Sequence, residues 1–321
     1  MAVAWLEQLS KLYQRYELHA DAQTVLKAMM DRQPDLPEEL IPLKTPVELK
    51  QSEIDEWLDT VIREDLEQSL MSLVMCFHPR LEDSRKELRE LEKAHPMVAA
   101  FGGSAAIVDH EGRTVARIDD EDGKLIRHIT TNMQLTDIFL QFAFPRLIEK
   151  FDLTPTLLAQ EIAKSPIWSA DRLSILERGI KAYFENEPVV AIHLLIPEIE
   201  AAVRRLSKSL GIVLQKPHRN GGYVLKNLDD LLREEAVVVT LTEDTTTYLR
   251  ATLTDQRGWN LRNDVCHGLS TTSALNQSVA RRLMLIAFLL GLLRKQSSST
   301  APEVDEVPRP SDQGVSDAQS H

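Results

Sequence analysis

Apolar residues recur along this chain mostly at three- and four-residue spacing, the period of a helix buried on one face. Leu6, Leu9, Leu12, Tyr13 and Tyr16 follow it, and Val25, Leu26 and Met29 resume it beyond Asp21, so residues 1 to 32 read as helix with a turn at Asp21. Prolines crowd residues 33–46 and mark a connector. Ser52-Glu53-Ile54-Asp55 opens a helix carried by Ile54, Leu58, Val61, Ile62 and Leu66 through Leu73, and His78-Pro79 ends it. Residues 81–94 are so dense in Glu, Lys and Arg that they read as a helix with a solvated face.

Near residue 100 the period changes. Residues 105–109 and 113–118 are strand-like and are joined by His110-Glu111-Gly112, which predicts a β-hairpin. The acidic run Asp119-Asp120-Glu121-Asp122-Gly123 reads as a solvated turn; its glycine is out of register for a calcium loop and no terminal glutamate sits at the required offset. Helices are expected over 132–151, 154–163, 171–184 and 189–210, and, after a glycine-rich turn at Asn220-Gly221-Gly222, near 227–236 and 243–256. A short helix around 260–268 and a last one over 275–294 complete the series. Residues 296–321 are Ser, Pro, Asp and Gln with scarcely a large apolar side chain, so a disordered tail is expected there.

The fold class that results is mostly α: a helical bundle preceded by an N-terminal helical region and a small β-hairpin. The expected divisions are 1–95, 96–185, 186–295 and the tail 296–321. Composition agrees, with 43% hydrophobic residues, 27% charged residues and only 12 glycines among 321. The formal net charge of −12 argues against a protein that coats nucleic acid indiscriminately, since such binding is driven by neutralising phosphates. It leaves room for a local basic cleft. The two cysteines, Cys76 and Cys266, show no ligand spacing, which suggests neither a disulfide framework nor a zinc site and fits a reducing cytoplasm. The N-terminus lacks the pattern of a signal peptide, and the most apolar run, 283–293, is too short to span a bilayer.

Candidate chemistry is concentrated in Asn260-Leu261-Arg262-Asn263-Asp264-Val265-Cys266-His267-Gly268. On a helix Asn263 and His267 stack one turn apart with Arg262 on the flank. A guanidinium can neutralise a phosphate, an imidazole can exchange a proton near neutral pH, and an amide can orient either. Capping also accounts for much of the segment: Asn260 as N-cap, His267 in the last turn, and Gly268 in the left-handed position beyond it. Capping does not account for Arg262 and Asn263 near a helix N-terminus, where a cation is mildly unfavourable.

The string RN-x-x-x-HG resembles the signature of the HEPN superfamily and, more narrowly, looks like domain-of-unknown-function family 4209. The segment from Ala191 to Arg204, with its Pro, Glu and Arg, is similar to that family's upstream helix. The resemblance covers roughly residues 98 to 294 and leaves the N-terminal region unexplained. It implies an endoribonuclease that works as a homodimer, cleaves RNA by 2′-hydroxyl attack without a metal or other cofactor, and belongs to toxin or phage-defence biology, with a protein regulator among its possible partners. Arg262, Asn263 and His267 would be catalytic, with Gly268 shaping the backbone behind them. Glu200, Arg204 and Asp264 would brace them, Asp264 by pairing with Arg262 or Arg204 or by favouring the helix N-terminus. Arg205, Lys208, Lys216 and Arg219, with His218, make the densest basic region nearby and are candidates for contact with the RNA backbone. Cys266 is expected to serve packing, and His193, within an apolar run, to be a core histidine bonded to backbone.

Other chemistries find no support. Gly102-Gly103-Ser104-Ala105-Ala106 fails the nucleophile-elbow pattern, and no phosphate-cradling glycine loop, dinucleotide fingerprint or HExxH occurs. Two non-enzymatic alternatives remain: a helical module that binds RNA or protein and uses the motif to cap a helix and hold a dimer, and a scaffold whose N-terminal helices are the working part. The enzyme reading expects Arg262, Asn263 and His267 to converge in an open cleft, and the scaffold reading expects them in self-satisfied hydrogen bonds.

Overall fold

The computed structural model describes residues 2–31, 50–95, 105–109 and 113–294. The 33–46 connector, the hairpin tip 110–112 and the tail 296–321 lie outside them. The protein is mostly α, with two small antiparallel hairpins.

The N-terminal helix pair is α1 (Ala2–Arg15) and α2 (His19–Met30). The break falls at residues 16–18, where Glu17 takes a left-handed φ of 59°, and not at Asp21, which lies in the first turn of α2. Next come α3 (Gln51–Val61) and α4 (Leu66–Phe77), two helices where the apolar period suggests one. Asp65 explains the restart: its carboxylate caps α4 by accepting from Gln68 N at 2.9 Å. The charged α5 (Leu81–Ala94) follows, buried only along one edge.

Strands β1 (Ala105–Val108) and β2 (Thr114–Ile118) form the expected hairpin. The acidic run after it is not a turn. Asp120 caps the 30-residue helix α6 (Glu121–Lys150) by accepting from Gly123 N at 2.6 Å, and Glu121 and Asp122 occupy the first turn, where negative charge is favoured. The helix thus begins eleven residues before the position read from sequence, and Leu125, Ile126, Ile129 and Met133 bury its face.

The remaining elements are α7 (Pro155–Ile162), α8 (Leu173–Phe184), α9 (Pro188–Ser209), a hairpin of β3 (Gln215–Pro217) and β4 (Tyr223–Leu225), and α10 (Leu228–Leu232). Then come α11 (Glu235–Leu241), α12 (Glu243–Leu253), α13 (Leu261–Cys266) and α14 (Gln277–Gly291). The Asn220-Gly221-Gly222 turn closes β3 onto β4, with both glycines at positive φ. Thr242, at φ 75°, separates α11 from α12, where the sequence suggested a helix ending near 236.

One continuous apolar cluster runs from Ile54 to Leu290 and joins α3 and α4 to the later helices. Helix α14 is its axis, buried from Ala280 to Phe288 and packed against α4, α6, α7, α8 and α9. Two arginines enter this core with it. Arg281 donates Nη1 to Asp137 at 2.8 Å. Arg282 is fully buried, donates Nη2 to Met133 O at 2.7 Å, lies 5.9 Å from the Phe77 ring and acts on the buried Tyr248 hydroxyl, while among the described residues no hydrogen bond of ordinary geometry reaches its Nε or Nη1. A desolvated cation with so few bonds costs more than a shaped hydrophobe. Arg282→Met is therefore expected to raise the unfolding free energy by about 1 kcal/mol in urea titrations. A loss of stability would show that the guanidinium is compensated by its surroundings.

His78 docks the α4–α5 corner onto α12. Its Nε2 meets Thr245 Oγ1 at 2.9 Å and its ring packs edge-on to Tyr248. Burial pushes its pKa below the ordinary value of 6.5, Asp244 pulling it up and Arg80 adding to the depression. The fold thus prefers neutral His78, so this contribution is whole above about pH 6.5 and is lost as pH falls, because the unfolded chain binds the proton first. Urea midpoints at pH 7.5 and 5.5 should differ less in His78→Gln than in the parent protein.

Candidate active site at the Arg262–His267 helix

The segment is held from upstream by a charged knot. Asp255 is buried and accepts from Arg257 N at 2.9 Å, Arg257 Nε at 3.0 Å and Arg257 Nη2 at 2.8 Å, with Arg250 Nη2 at 3.4 Å. Burial alone would raise the carboxyl's pKa; the two arginines outweigh it and hold it below the usual range. Arg257 also donates to Asp122 at 2.6 Å, tying the loop to the first turn of α6. The acidic run at 119–123 therefore serves as helix start and as anchor for this loop. Trp259 N donates to Ala251 O at 2.8 Å, and Gly258 lies so close to the same carbonyl that a Cβ there would sit 2.1 Å from it.

Asn260 is not a side-chain N-cap. It takes the left-handed conformation, φ 50°, and its amide turns inward: Nδ2 donates to Asp264 Oδ1 at 2.7 Å and Oδ1 accepts from Asn263 Nδ2 at 2.7 Å. Its backbone carbonyl still accepts from Asn263 N and Asp264 N, both at 3.1 Å. Asp264 meets Asn260, and it stands in the first turn of α13. The far end closes as expected. Gly268 at φ 68° allows Gly268 N to reach Val265 O at 3.2 Å and Leu269 N to reach Asp264 O at 2.8 Å, the paired bonds of a Schellman stop.

Arg262, Glu200 and Arg204 come together. Arg262 Nε donates to Glu200 Oε2 at 2.9 Å, and Arg204 Nη2 donates to Oε1 of the same carboxylate at 2.7 Å. Arg204 Nη1 reaches Lys226 O at 3.0 Å, so the residue that follows β4 is bound into the set. Burial works against the Arg262 charge, but Glu200 more than offsets it and holds the pKa above the ordinary arginine value. Arg262 Nη1 also donates to Asn263 Oδ1 at 3.3 Å, and Asn263 Nδ2 reaches Thr254 O at 3.3 Å. Asn263 is thus satisfied at both ends within the chain. His267 is exposed and has no side-chain partner among the described residues.

A cleft of about 560 Å³ lies beside the helix, between β1–β2 and residues 256–275. Asn263, Asp264 and His267 line it, whereas Arg262, Glu200 and Arg204 do not. Five steps at 100° per residue put Arg262 and His267 roughly 140° apart around the helix axis, which is why one cleft in a single chain does not gather both. Convergence is therefore partial. Trp259, Gln256 and the hairpin residues Ile107 and Val115 also line the cleft. Sequence reading missed them, and only the Gly258-Trp259 pair just before the motif offered a local signal.

The other candidates separate. Arg205 bonds Ser169 and lies 3.8 Å from Asp171, and Lys216 pairs with Asp230, so both are engaged within the chain. Lys208 and Arg219 are exposed, with no side-chain partner among the described residues. His193 is exposed on the outer side of α9, its Nδ1 2.7 Å from Val189 O; the backbone bond is present, but the core position is not. Cys266 is exposed as well and fills no core space.

Among the described residues no group of three or more His, Cys, Asp or Glu is arranged to hold a metal ion, and no helix is long and apolar enough to cross a membrane. No protein-family model, curated protein or solved structure matches this chain.

Proposed function

We propose that the protein is an endoribonuclease of the HEPN type, cleaving RNA without a metal and acting as a homodimer. The observation that carries this reading is the contrast within one short helix: Arg262 is fixed by Glu200, which Arg204 also holds, while His267 stands exposed beside a cleft with no side-chain partner among the described residues. A cation fixed at one end suits the stabilisation of charge on phosphoryl oxygens, and an exposed imidazole suits proton transfer. His267 would take the proton of a ribose 2′-hydroxyl as its oxygen attacks the adjacent phosphorus. The bond from phosphorus to the 5′-oxygen breaks, the leaving oxygen receives a proton, and the products are a 2′,3′-cyclic phosphate and a 5′-hydroxyl. The partner subunit's His267 would supply that second proton, and the partner's Arg262 would face the histidine that its own chain's geometry keeps apart.

The second reading is a non-catalytic module that binds RNA or protein or holds a dimer. The saturation of Asn263 by its own chain, and the turning of Arg262 away from the cleft, favour it. The deciding experiment is incubation of the purified protein with structured and tRNA-like RNAs in chelator, beside His267→Ala, with the ends of any fragments identified. Cyclic-phosphate ends made by the parent protein alone are the expected result. Absence of cleavage across a broad RNA panel would leave the binding module as the better account.

A further inference from the structure

The β3–β4 hairpin turns an apolar side to solvent. On the way into and along β3, Ile212 and Leu214 pack against the core, while Val213, Gln215 and Pro217 alternate with them and are exposed. The register sets Gln215 opposite Leu225 and Pro217 opposite Tyr223, so these four side chains share the outward face. A hairpin with one solvated face ordinarily makes that face polar. Here Val213, Leu225 and Tyr223 are 70%, 60% and 73% exposed.

The cations around this face divide into two sets. Lys216 is paired with Asp230, and Lys226 Nζ donates to Glu234 at 2.6 Å. Lys208, in the last turn of α9, and Arg219, in the turn at the hairpin's tip, are exposed and have no side-chain partner among the described residues. One available cation therefore precedes the base of the hairpin and another stands at its tip. The base is also tied to the motif: Arg204, which donates to Lys226 O at 3.0 Å, shares the Glu200 carboxylate with Arg262. The hairpin thus belongs to the Arg262 side of the motif and not to the cleft that His267 lines.

We propose that the outward face of this hairpin is a stacking platform for single-stranded RNA, with Tyr223 under a base and Lys208 and Arg219 on the phosphates to either side. The proposal rests on the ribonuclease reading for its purpose, which is to deliver a strand to Arg262. Stacking takes one exposed aromatic ring and tolerates any base, and flanking cations hold the backbone without reading sequence. From Val213 to Pro217 the extended chain covers roughly 13 Å, room for about two or three splayed bases. A protein partner fits this face less well. A stable protein interface takes about 20 residues a side, whereas the face consists of Val213, Gln215, Pro217, Tyr223 and Leu225.

The test measures affinity by fluorescence anisotropy in the full-length His267→Ala chain, so that the RNA stays whole, using a short labelled RNA of unstructured sequence and the same RNA in a duplex. Tyr223→Ala is expected to weaken single-strand binding about tenfold, and Tyr223→Phe to leave it close to the starting value, because the ring and not the hydroxyl stacks. Lys208→Ala and Arg219→Ala should each weaken binding and lower the slope of log Kd against log salt by about 0.7. All three positions are exposed, so the variants should keep the parent's circular dichroism. In cleavage by the chain that retains His267, Tyr223→Ala should raise KM about tenfold with a smaller effect on kcat. No RNA binding, equal affinity for the duplex, or indifference to Tyr223→Ala would overturn the platform. So would self-association in ultracentrifugation that Tyr223→Ala abolishes while RNA binding stays. Cleavage with KM unmoved by Tyr223→Ala would keep the ribonuclease and remove the platform. Weaker single-strand binding by Tyr223→Ala, in a protein that cuts no RNA, would do the reverse.

Discussion

Gly258→Ala is expected to lower the unfolding free energy by about 3–4 kcal/mol, toward the upper end of what single substitutions do. The added Cβ would stand 2.1 Å from the Ala251 carbonyl oxygen and 2.9 Å from its carbon, and both are backbone atoms of α12 that cannot swing aside. Relief requires the loop to move away from α12, which breaks the 2.8 Å bond from Trp259 N to Ala251 O and shifts the start of α13. The effect is one of close approach and not of unusual torsion. Gly211 supplies the control: it has positive φ with open space around it, so Gly211→Ala should cost only about 1 kcal/mol from backbone strain. Urea unfolding of both variants checks the comparison. Similar losses would mean that the loop accommodates the methyl group.

His267→Ala is expected to reduce RNA cleavage by about 100- to 10,000-fold, the range for loss of a general acid or base, with stability nearly unchanged. The separation of the two effects follows from exposure. No described side chain bonds to His267, and the bond that ends α13 uses its backbone N–H, to Asn263 O at 2.9 Å, which alanine retains. Mixing the variant with Arg262→Ala protomers adds a sharper reading: if the two chains complete each other's sites, a mixed dimer should recover part of the activity that each variant lacks alone. Cleavage by His267→Ala at the parent rate would sink the assignment.

The helical class was legible because the apolar period persists through most of the chain. Leu125, Ile126 and Ile129 carry that period upstream of Asn132, yet the acidic run before them looks the same whether it solvates a turn or caps a helix. Asp120 and Arg257 resolve it, and their contact joins segments far apart in sequence. The Glu200–Arg262 pair was visible as a possibility from residue types, since a carboxylate and an arginine one turn apart on α9 suggested a brace for the motif. The cleft was not visible. Its hairpin wall comes from residues that the sequence marks only as strands, and nothing local says which face of α13 they cover. Asn260 misled for a related reason: asparagine favours both the N-cap and the left-handed conformation, and the side-chain bonds to Asp264 and Asn263 select the second.

That left-handed residue also governs what substitution can explore at the entrance to the motif. Glycine would accept φ 50° at no steric cost but would strip Asn263 and Asp264 of the amide between them, whereas serine or alanine would lose the amide and strain the chain as well. Position 260 thus separates two demands that most positions merge. A library randomised there and sorted first for folding, then for activity, would keep glycine in the first sort and return toward asparagine in the second.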